Sequence, residues 1–451
     1  MTEGWNRTRR QWLAVCGGTT TGLAGIAGCL SSDDDSGTDT GDGADGAEET
    51  DNGDNELDET DEADSSESTE TATSSWPMDR FTADNQMVAD DRSGPDGPLE
   101  ERWTVEVEDV TLSAPVVDHG QVYVSDETPT LHAVDLASGE IEWTFEAELP
   151  PRAPSNPQWD PTTPAVTDDA VYFLTDKLYA IDLDDGEELW SIELGSLYAG
   201  DIRIFEGIVY VNNDGELYAI DSDAEDIIWE DEASGTEDIA IGEDGTLFVI
   251  RRTNNDFEVI AFDVFEDERL WTYSPPGNSP AGFELMVRDG TVYTHEETSV
   301  VAIDPGTGDA ETVAEYEQTE ETYPVNGPAP TVANGTIYSG GAYNYPSVFA
   351  TGVETGDEPS EWESKNIEGG PNGLQPFVSD DTLYIWRDLG YTHLHALDPE
   401  TGAEQWTTYT LDHIETSLHG SMVEGYAILE DSVVLTINSN TGQVIVTLDP
   451  Q

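Results

Sequence analysis

The sequence predicts an all-β fold, an eight-bladed β-propeller of four-stranded antiparallel blades. Three observations lead to this prediction. A segment of the form strand, acidic turn, strand recurs, as in LHAVDLASGEIEW (131–143), LYAIDLDDGEELW (178–190) and LHALDPETGAEQW (394–406). A tryptophan returns at a fixed place in most copies. A pair of short apolar strands precedes each copy, so one repeat holds four strands, which is the content of one propeller blade.

The period of the repeat follows from one position, the anchor residue, which comes directly after the apolar strand of each copy. Successive anchors are 47, 39, 42, 41, 48, 46 and 40 residues apart. These spacings match the roughly 40–50 residues of one propeller blade. The eight predicted anchors are Asp135, Asp182, Asp221, Asp263, Asp304, Gly352, Asp398 and Asn438.

A tryptophan lies eight residues after the anchor in five copies, although the chain has only 12 tryptophans. Each one buries about 150–250 Å², so five such side chains are a sufficient reason for a ring to hold without disulfides. We therefore interpret them as structural residues. The five are Trp143, Trp190, Trp229, Trp271 and Trp406, and a sixth, Trp362, is displaced by two positions.

The acidic segment after each anchor is interpreted as a tight turn. A glycine four residues after the anchor, as at Gly139 and Gly186, supplies the positive φ that such a turn needs. The anchoring aspartate side chain accepts hydrogen bonds from the amides of its own turn. A calcium loop is the alternative for DLDDGE (182–187), but the distal glutamate of an EF-hand is missing there.

Two segments compete for the outermost strand of the last blade. One is ERWTVEV (101–107), which precedes the first repeat, and the other is QVIVTL (443–448). Closure by the first segment would join the two ends of the ring non-covalently and remove an open edge. The sequence leaves both alternatives open.

The chain is strongly acidic, with 97 Asp and Glu, 15 Lys and Arg and a formal net charge of -82. Such a charge destabilises a compact state by self-repulsion in dilute buffer. In molar salt the Debye length falls to about 3 Å and the repulsion is screened. We therefore expect a halophilic, haloarchaeal protein; a surface that binds cations or basic partners is the alternative. Nucleic acid is not expected as a partner, because phosphate binding requires clustered basic residues.

The N-terminus has the pattern of an export signal. Arg9 and Arg10 precede a mildly apolar run that ends in IAGC, which predicts twin-arginine export and lipidation of Cys29. A membrane-spanning helix is the alternative, but glycines and threonines dilute the run and make it shorter than the roughly 20 apolar residues a span needs. We expect a protein anchored by lipid on the outer face of the cytoplasmic membrane.

Composition divides the chain into four parts. Residues 1–28 are the predicted signal peptide, and residues 29–76 form an acidic stalk that is too poor in apolar residues to fold. Residues 77–98 are a lead-in segment, and residues 99–451 are the predicted propeller, which we expect to be a monomeric ring.

The repeat resembles that of the PQQ-like, or quinoprotein, propeller family, whose pattern is strand–LYALDxxTGxxxW. The match covers roughly residues 99–451, with LYAID and LHALDPETGAEQW as its specific parts. The resemblance implies that Trp143, Trp190, Trp229, Trp271 and Trp406 dock neighbouring blades. Two repeats depart from the pattern, with Thr312 and Ser360 at the tryptophan position, where Tyr316 or Trp362 would substitute.

The resemblance leaves two function hypotheses. Members of the family include dehydrogenases that place calcium beside pyrroloquinoline quinone and non-enzymatic lipoproteins that bind another protein. The vicinal cysteine pair of the dehydrogenases is missing here, and the sequence marks no metal site. We therefore favour a binding or scaffold module for a protein or glycan partner, without a bound cofactor; a quinone-dependent oxidoreductase is the alternative.

A candidate partner-binding surface follows from loop lengths. The connections between first and second strands, and between third and fourth, are short, whereas the other connections are long. All long connections reach the same face of a ring of antiparallel blades, here called the loop face. Tyr, Trp and Arg dominate interface hot spots, and on this face they are Arg152, Trp159, Arg251, Arg252, Tyr343, Tyr345, Arg387 and Tyr391. Asn334, in NGT, is a glycosylation candidate.

The charge generates a direct prediction about salt. The protein should give a cooperative thermal melt in molar KCl and lose its fold on dialysis to low salt, because the repulsion is then unscreened. Circular dichroism at both salt concentrations measures this. A melt that is unchanged between low and molar salt would contradict the halophilic prediction.

Overall fold

The computed structural model describes residues 75–451 apart from sixteen internal gaps. The gaps are 91, 108–109, 149–160, 196–199, 214, 254–255, 276–283, 297–298, 316–328, 341–347, 353–361, 364–369, 372–374, 389–391, 410–421 and 440–441. The predicted signal peptide, with Arg9, Arg10 and Cys29, and nearly all of the predicted stalk lie outside the described residues. No helix in the described part is long and apolar enough to cross a membrane.

Two strands, β1 (Val88–Ala89) and β2 (Leu99–Val107), precede the repeats. The following blades are up-and-down meanders in chain order. The first three comprise β3 (Val116–Asp118), β4 (Gln121–Ser125), β5 (Thr130–Asp135) and β6 (Ile141–Glu146); β7 (Ala165–Val166), β8 (Val171–Leu174), β9 (Lys177–Ile181) and β10 (Glu188–Glu193); and β11 (Gly200–Phe205), β12 (Ile208–Asn213), β13 (Glu216–Asp221) and β14 (Asp226–Glu232).

Three further meanders continue the pattern. They comprise β15 (Thr236–Ile241), β16 (Leu247–Thr253), β17 (Asp256–Asp263) and β18 (Glu268–Tyr273); β19 (Met286–Arg288), β20 (Thr291–Glu296), β21 (Ser299–Ile303) and β22 (Ala310–Glu315); and β23 (Thr331–Ala333), β24 (Thr336–Gly340), β25 (Val348–Gly352) and β26 (Trp362–Glu363).

The last two sheets recruit strands from the start of the described chain. The first contains β27 (Gly370–Pro371), β28 (Phe377–Ser379), β29 (Leu383–Asp388), β30 (Thr392–Leu397) and β31 (Glu404–Tyr409), together with β1. The second contains β32 (Met422–Ile428), β33 (Val433–Ser439) and β34 (Gly442–Pro450), together with β2.

The all-β propeller class is confirmed, but the prediction of eight four-stranded antiparallel blades is wrong. Within the described residues, seven sheets are of this kind, and the sheet around β28–β31 is six-stranded and mixed. The physical reason is the open inner edge of β28. The lead-in strand β1 pairs with that edge in parallel, Val88 with Val378, while β27 pairs with β29 beyond the end of β28.

The ring closes with a strand from each end of the propeller. β34 is the third strand of its blade and β2 is the fourth, so both competing segments are used. The eighth predicted anchor is therefore wrong, because Asn438 lies in β33, the second strand, and pairs with Met422. Trp103 of β2 pairs with Thr447, as Trp143 pairs with Ala133 in the first blade.

The pair of short strands that the repeat predicts ahead of the eighth anchor, with MVEGYAIL (422–429) as strand, turn and strand, is also wrong. This segment is the single strand β32, with a register irregularity between Val423 and Gly425. A Cβ atom on Gly425 would lie 2.2 Å from Cβ of Ala114. The glycine is required there by close packing against the first repeat and not by a turn.

The repeated alanine of LYAID has a specific role opposite the tryptophan. In the blades that contain Trp143, Trp229 and Trp406, the tryptophan pairs across the strands with an alanine, and the register shifts just beyond that pair. Such a bulge changes the direction of the side chain. The small alanine leaves the indole ring free to reach the next blade.

Three of the five regularly spaced tryptophans, Trp143, Trp229 and Trp271, bind the acidic turn of the next blade. The Trp143 indole Nε1 donates to the carbonyl oxygen of Leu183 at 3.0 Å, and its ring covers Gly186, where a Cβ would approach to 2.6 Å. Trp271 repeats this geometry, with a 2.7 Å bond to the carbonyl oxygen of Pro305. Trp229 instead donates to Oδ1 of Asp267 at 3.1 Å.

Two tryptophans outside the eight-residue spacing occupy the same position. Trp103 donates to the carbonyl oxygen of Leu136 at 2.9 Å, and Trp362 donates to that of Pro399 at 3.1 Å. Trp362 thus substitutes at the repeat that carries Ser360. Tyr316, the other proposed substitute, lies outside the described residues.

The acidic turns are held by their anchors. Oδ1 of Asp398 accepts hydrogen bonds from the amides of Glu400 and Thr401 at 3.0 and 2.8 Å and from the Thr401 hydroxyl at 2.9 Å. The hydroxyl bond and the amide bonds lower the pKa of Asp398. The aspartate lone pairs therefore serve the turn, and no group of three or more metal-ligating residues is present in the described part of the chain.

The lead-in segment is structural, because residues 75–92, here called the axial segment, supply hydrogen bonds to the innermost strands. Trp76 exchanges two backbone bonds with Val117, of 2.6 and 2.8 Å. Further along the segment, four backbone carbonyl oxygens accept hydrogen bonds from amides of other inner strands. These pairs are Pro77 with Val166, Ala83 with Ile241, Asp84 with Val287, and Met87 with Val378.

The docking geometry predicts a large stability cost for Trp143→Ala. Removal of a buried aromatic side chain costs about 3–5 kcal/mol, and here the bond to Leu183 is also lost. Urea unfolding followed by circular dichroism in molar KCl measures the change. Leu189→Ala is the matched control, since Leu189 is 50% exposed and should change the free energy of unfolding by less than about 0.5 kcal/mol. Similar costs for the two variants would contradict the docking role.

Candidate functional site

Scarce arginines fix the axial segment to the ring. Arg203, on β11, is fully buried, and its Nε donates to Oδ1 of Asn85 at 2.7 Å. Arg92 donates to the carbonyl oxygens of Ser75 and Ile428, both at 2.9 Å. Arg288, on β19, donates to Oε1 of Gln86 and forms an ion pair with Asp90, each at 2.5 Å.

The backbone of the axial segment is strained. Arg80, Phe81, Asn85 and Met87 have φ values of 56°, 72°, 59° and 51°. Residues with a Cβ rarely adopt this left-handed region, and such conformations persist only where the surroundings over-determine them. The strain therefore indicates that the ring holds this segment in place. It also fixes the backbone of Arg80, whose side chain pairs with Asp238 and Glu284.

A cavity of about 190 Å³ lies at one end of the axis, beside the axial segment. Its walls include the first residues of inner strands: Asp201 of β11, Glu237 and Asp238 of β15, and Glu284 just before β19. The starts of the inner strands lie at the end of the ring that carries the long connections. The cavity therefore belongs to the loop face.

Two arginines and three carboxylates form an ion network at the cavity. Arg80 is paired with Asp238, with Glu284 at 3.3 Å and with Asp79 at 3.7 Å. Arg203 lies 3.5 Å from Asp79 and 3.7 Å from Asp238. The carboxylate of Asp238 also accepts a 2.7 Å bond from the Leu285 amide.

Two carboxylates of the cavity and the arginine Arg80 have shifted pKa values. Burial raises the pKa of Asp201 to about 6, with Asp238 and Asp79 adding to the effect and Arg203 opposing it. Burial also raises the pKa of Glu284, against the attraction of Arg80. Burial alone would lower the pKa of Arg80, but the surrounding carboxylates outweigh it and raise that pKa. Negative charge is thus in excess at the cavity.

The number of charged groups at the cavity also indicates an excess of negative charge. Five carboxylates line the cavity, those of Asp79, Asp201, Glu237, Asp238 and Glu284. Three guanidinium groups contact them: Arg80, Arg203 and Arg252, the last through a 2.7 Å ion pair with Glu237. Two carboxylates remain uncompensated among the described residues.

A second cavity, of about 360 Å³, lies beside Asp84 and Gln86 at the turns of the opposite face. It is also lined by carboxylates, and no arginine or lysine is among its lining residues. The acidic residues are Asp84, Glu243, Asp244, Asp263 and Asp289.

The residues of both cavities do not fit pyrroloquinoline quinone, the cofactor that the propeller family implies. The quinone carries three carboxylates, and either cavity would place them among further carboxylates. Like charges in a partly buried site repel strongly.

Two of the predicted partner-binding residues are placed by the structure at the end of β16. Arg251 is mostly buried and paired with Glu258 at 2.8 Å. Arg252 keeps 53% of its side chain exposed while it pairs with Glu237, a cavity residue. Arg252 therefore lies between the loop face and the cavity, a proximity that the sequence did not indicate.

Of the other predicted partner-binding and glycosylation residues, the structure describes Arg387 and Asn334. Arg387 lies on β29, where its backbone pairs with His393. Asn334 is exposed in the turn between β23 and β24, and its glycosylation stays a prediction. Those outside the described residues are Arg152, Trp159, Tyr343, Tyr345 and Tyr391.

Sequence reasoning missed the axial cavity. Asp201, Asp238 and Glu284 are isolated acids in an acidic chain, and nothing in their spacing separates them from surface carboxylates. The one available signal was the lead-in itself, where Trp76, Met78, Phe81 and Met87 follow a stalk with almost no apolar residues. Apolar side chains at that point indicate a segment with a buried partner.

The raised pKa of Asp201 predicts a pH-dependent effect of Asp201→Asn. An acid whose folded-state pKa is raised, here to about 6, lowers stability above that pH, and the loss disappears as pH falls toward the unfolded pKa of about 4. The variant should therefore exceed the wild type by about 1–2 kcal/mol at pH 7.5, less than a full conversion of the shift because the residue is only half-buried.

The comparison is made by urea unfolding at pH 7.5 and near pH 4.5. The difference between variant and wild type should shrink at the lower pH. Asp431→Asn, at an exposed side chain in the turn between β32 and β33, is the control and should show no such change. An Asp201→Asn advantage that does not depend on pH would contradict the assignment.

Comparison with protein families finds one match. A family model described as outer membrane protein assembly factor BamB matches residues 96–202 and 177–408. Together these ranges span more than half of the chain and most of the propeller. No match was found among curated protein sequences.

Solved structures with similar folds include enzymes and non-enzymes. Quinohemoprotein alcohol dehydrogenase from Comamonas testosteroni aligns with a TM-score of 0.57 and 12% identity over 83% of this chain and 80% of its own. BamB from Moraxella catarrhalis aligns with a TM-score of 0.52 and 16% identity, covering 78% and 97%. The computationally designed protein Ika8 aligns with a TM-score of 0.53 and 15% identity, covering 80% and 98%.

At these identities the solved structures establish the shared propeller fold alone. The repeat, the docking tryptophans and the family match over most of the ring agree with one another. The chain therefore belongs to the PQQ-like propeller family described as outer membrane protein assembly factor BamB.

Proposed function

We propose that this chain is a lipid-anchored, extracytoplasmic propeller that acts as a binding or scaffold module for a protein or glycan partner. One observation carries the proposal: the axial segment of the chain itself occupies the inner edges of the ring, through backbone bonds from Trp76 to Met87. Because the chain itself covers the inner edges of the ring, the loops are the surface through which a partner would bind. Loops on a rigid scaffold are where binding residues concentrate.

Family membership supports a role with proteins. The family description names an assembly factor, and BamB is among the similar folds. The quinone-dependent alternative is disfavoured by the carboxylates of both cavities. We propose the membrane attachment through Cys29 after export by the Arg9–Arg10 signal, and the outer face of the cytoplasmic membrane as the location, from the N-terminal pattern.

The loop face is the proposed contact surface. Arg252 is exposed there and lies 5.8 Å over the ring of Phe257. Tyr343 and Tyr345 belong to the same set by sequence. Arginine and tyrosine combine large contact area with hydrogen bonding, which suits them to the centre of an interface.

The test is a cross-linked pull-down from haloarchaeal cells that produce the tagged full-length protein. Arg252→Ala and the double variant Tyr343→Ala/Tyr345→Ala should recover the partner several-fold less than the wild type. Arg269→Ala is the matched control, because Arg269 is an exposed arginine of the same blade on its outermost strand, beyond the short acidic turn. Equal losses in all variants, or loss only in the control, would reject the loop face.

Fractionation of the same cells tests the anchor. Cys29→Ser should release the protein into the medium or block its maturation, because the acyl chains are lost. A variant that stays in the membrane with residues 1–28 attached would instead identify a spanning helix.

A further inference from the structure

Among the described residues that line the axial cavity, one buried acceptor has no hydrogen-bond partner. Gln375, just before β28, is 4% exposed and lines the cavity. Its Nε2 donates to the carbonyl oxygens of Pro330 at 3.1 Å and Asn85 at 3.4 Å. Because both partners are carbonyl oxygens, the amide orientation is fixed, and Oε1 is the end left without a partner.

An unsatisfied buried oxygen is costly, on the scale of a lost hydrogen bond. A donor from a ligand would remove that cost. The groups around Gln375 define which donor fits, because carboxylates outnumber guanidinium groups at the cavity and Asp201 is among the lining carboxylates. The raised pKa of Asp201 agrees with this, since a proton there replaces positive charge that the walls lack.

Aromatic side chains complete the walls. Trp76 and Tyr426 both line the cavity, and their ring centroids lie 5.7 Å apart. The Tyr426 hydroxyl donates to the carbonyl oxygen of Gln375, so the two residues hold each other in place. Trp76 is only 1% exposed and also packs against Phe81 and Phe377, so these rings hold in place the wall that carries Gln375.

The size and ligand set favour an organic cation over a metal ion. A volume of about 190 Å³ lies below the roughly 300–1,000 Å³ of drug-sized ligand sites, which suits a small group. Three of the five lining carboxylates already bind Arg80 or Arg203. Within the described residues no group of three metal ligands converges, as a hard cation would need.

We infer that the axial cavity binds a small organic cation, an ammonium or guanidinium group. Its N–H donors satisfy Gln375 Oε1 and the carboxylate of Asp201, and its charge offsets the surplus of the walls. Trp76 and Tyr426 hold in place the wall that carries Gln375. The cation is either a free amine or the lysine or arginine side chain of a peptide that reaches into the loop face.

This inference goes beyond the proposed function and does not depend on it. The cavity is built from inner strands and the axial segment, whereas the scaffold role rests on the loops. A pull-down that recovers no partner would contradict the scaffold role but not the cation site. A titration without binding would contradict the cation site but not the scaffold role.

The experiment titrates the full-length protein in molar KCl by isothermal calorimetry. Agmatine, which carries both an ammonium and a guanidinium group, represents free amines, and a short neutral peptide ending in arginine amide represents a partner side chain. Saturable binding of either probe supports the inference, and the tighter of the two identifies the source. Calcium chloride is the competing probe, and binding of calcium in place of both organic cations would overturn the inference.

Two variants locate the binding. Asp201→Asn and Gln375→Leu should each weaken the tighter probe by at least about tenfold, because each removes a hydrogen-bond acceptor for a charged group. Asp168→Asn, an exposed acid on the opposite face, should bind as the wild type does. Circular dichroism melts verify that each variant is folded. Asp201→Asn keeps the size of the side chain, so the test can be made with this variant alone if Gln375→Leu does not fold. Unchanged affinity in Asp201→Asn would reject the site.

Discussion

The backbone hydrogen bonds between the axial segment and the innermost strands are the constraint on which the rest of this structure depends. The inner strand of a propeller blade has one paired edge and one edge that faces the axis, and buried amides on that edge require acceptors. Here carbonyl oxygens from Trp76 to Met87 supply them across several blades. The same contacts position the residues of the axial cavity and add a sixth strand to the mixed sheet.

The distribution of charge follows from this arrangement. With only 15 basic residues in the chain, a set of arginines, Arg80, Arg92, Arg203 and Arg288, joins the axial segment to the ring. An arginine forms several directed hydrogen bonds at once, which a lysine does not. The acids that meet these arginines act at close range, while the exposed acidic surface acts through its summed field.

Blade docking and axial filling stabilise the ring in complementary ways. Each docking tryptophan covers the turn of the next blade at the outer part of the ring, as Trp143 does at Gly186. The axial segment links non-adjacent blades at the inner part. Most buried apolar clusters correspondingly combine residues of two neighbouring blades, as around Val116 and Val171. The rigid ring that results suits loops that bind a partner and a cavity that keeps an unsatisfied acceptor.

The sequence by itself determined the propeller class, the four-stranded repeat and the five regularly spaced tryptophans, because these depend on contacts within a repeat or between successive repeats. A period of apolar strands and turn residues records such local contacts directly. Only the tertiary structure decided the closure by β2 beside β34, the docking role of Trp103 and the mixed sheet. It also decided which acids form the axial cavity, since Asp201, Asp238 and Glu284 come together only when distant strands converge on one axis. Pairings between residues hundreds of positions apart leave no period in the sequence, and their partners are chosen by the closure of the ring.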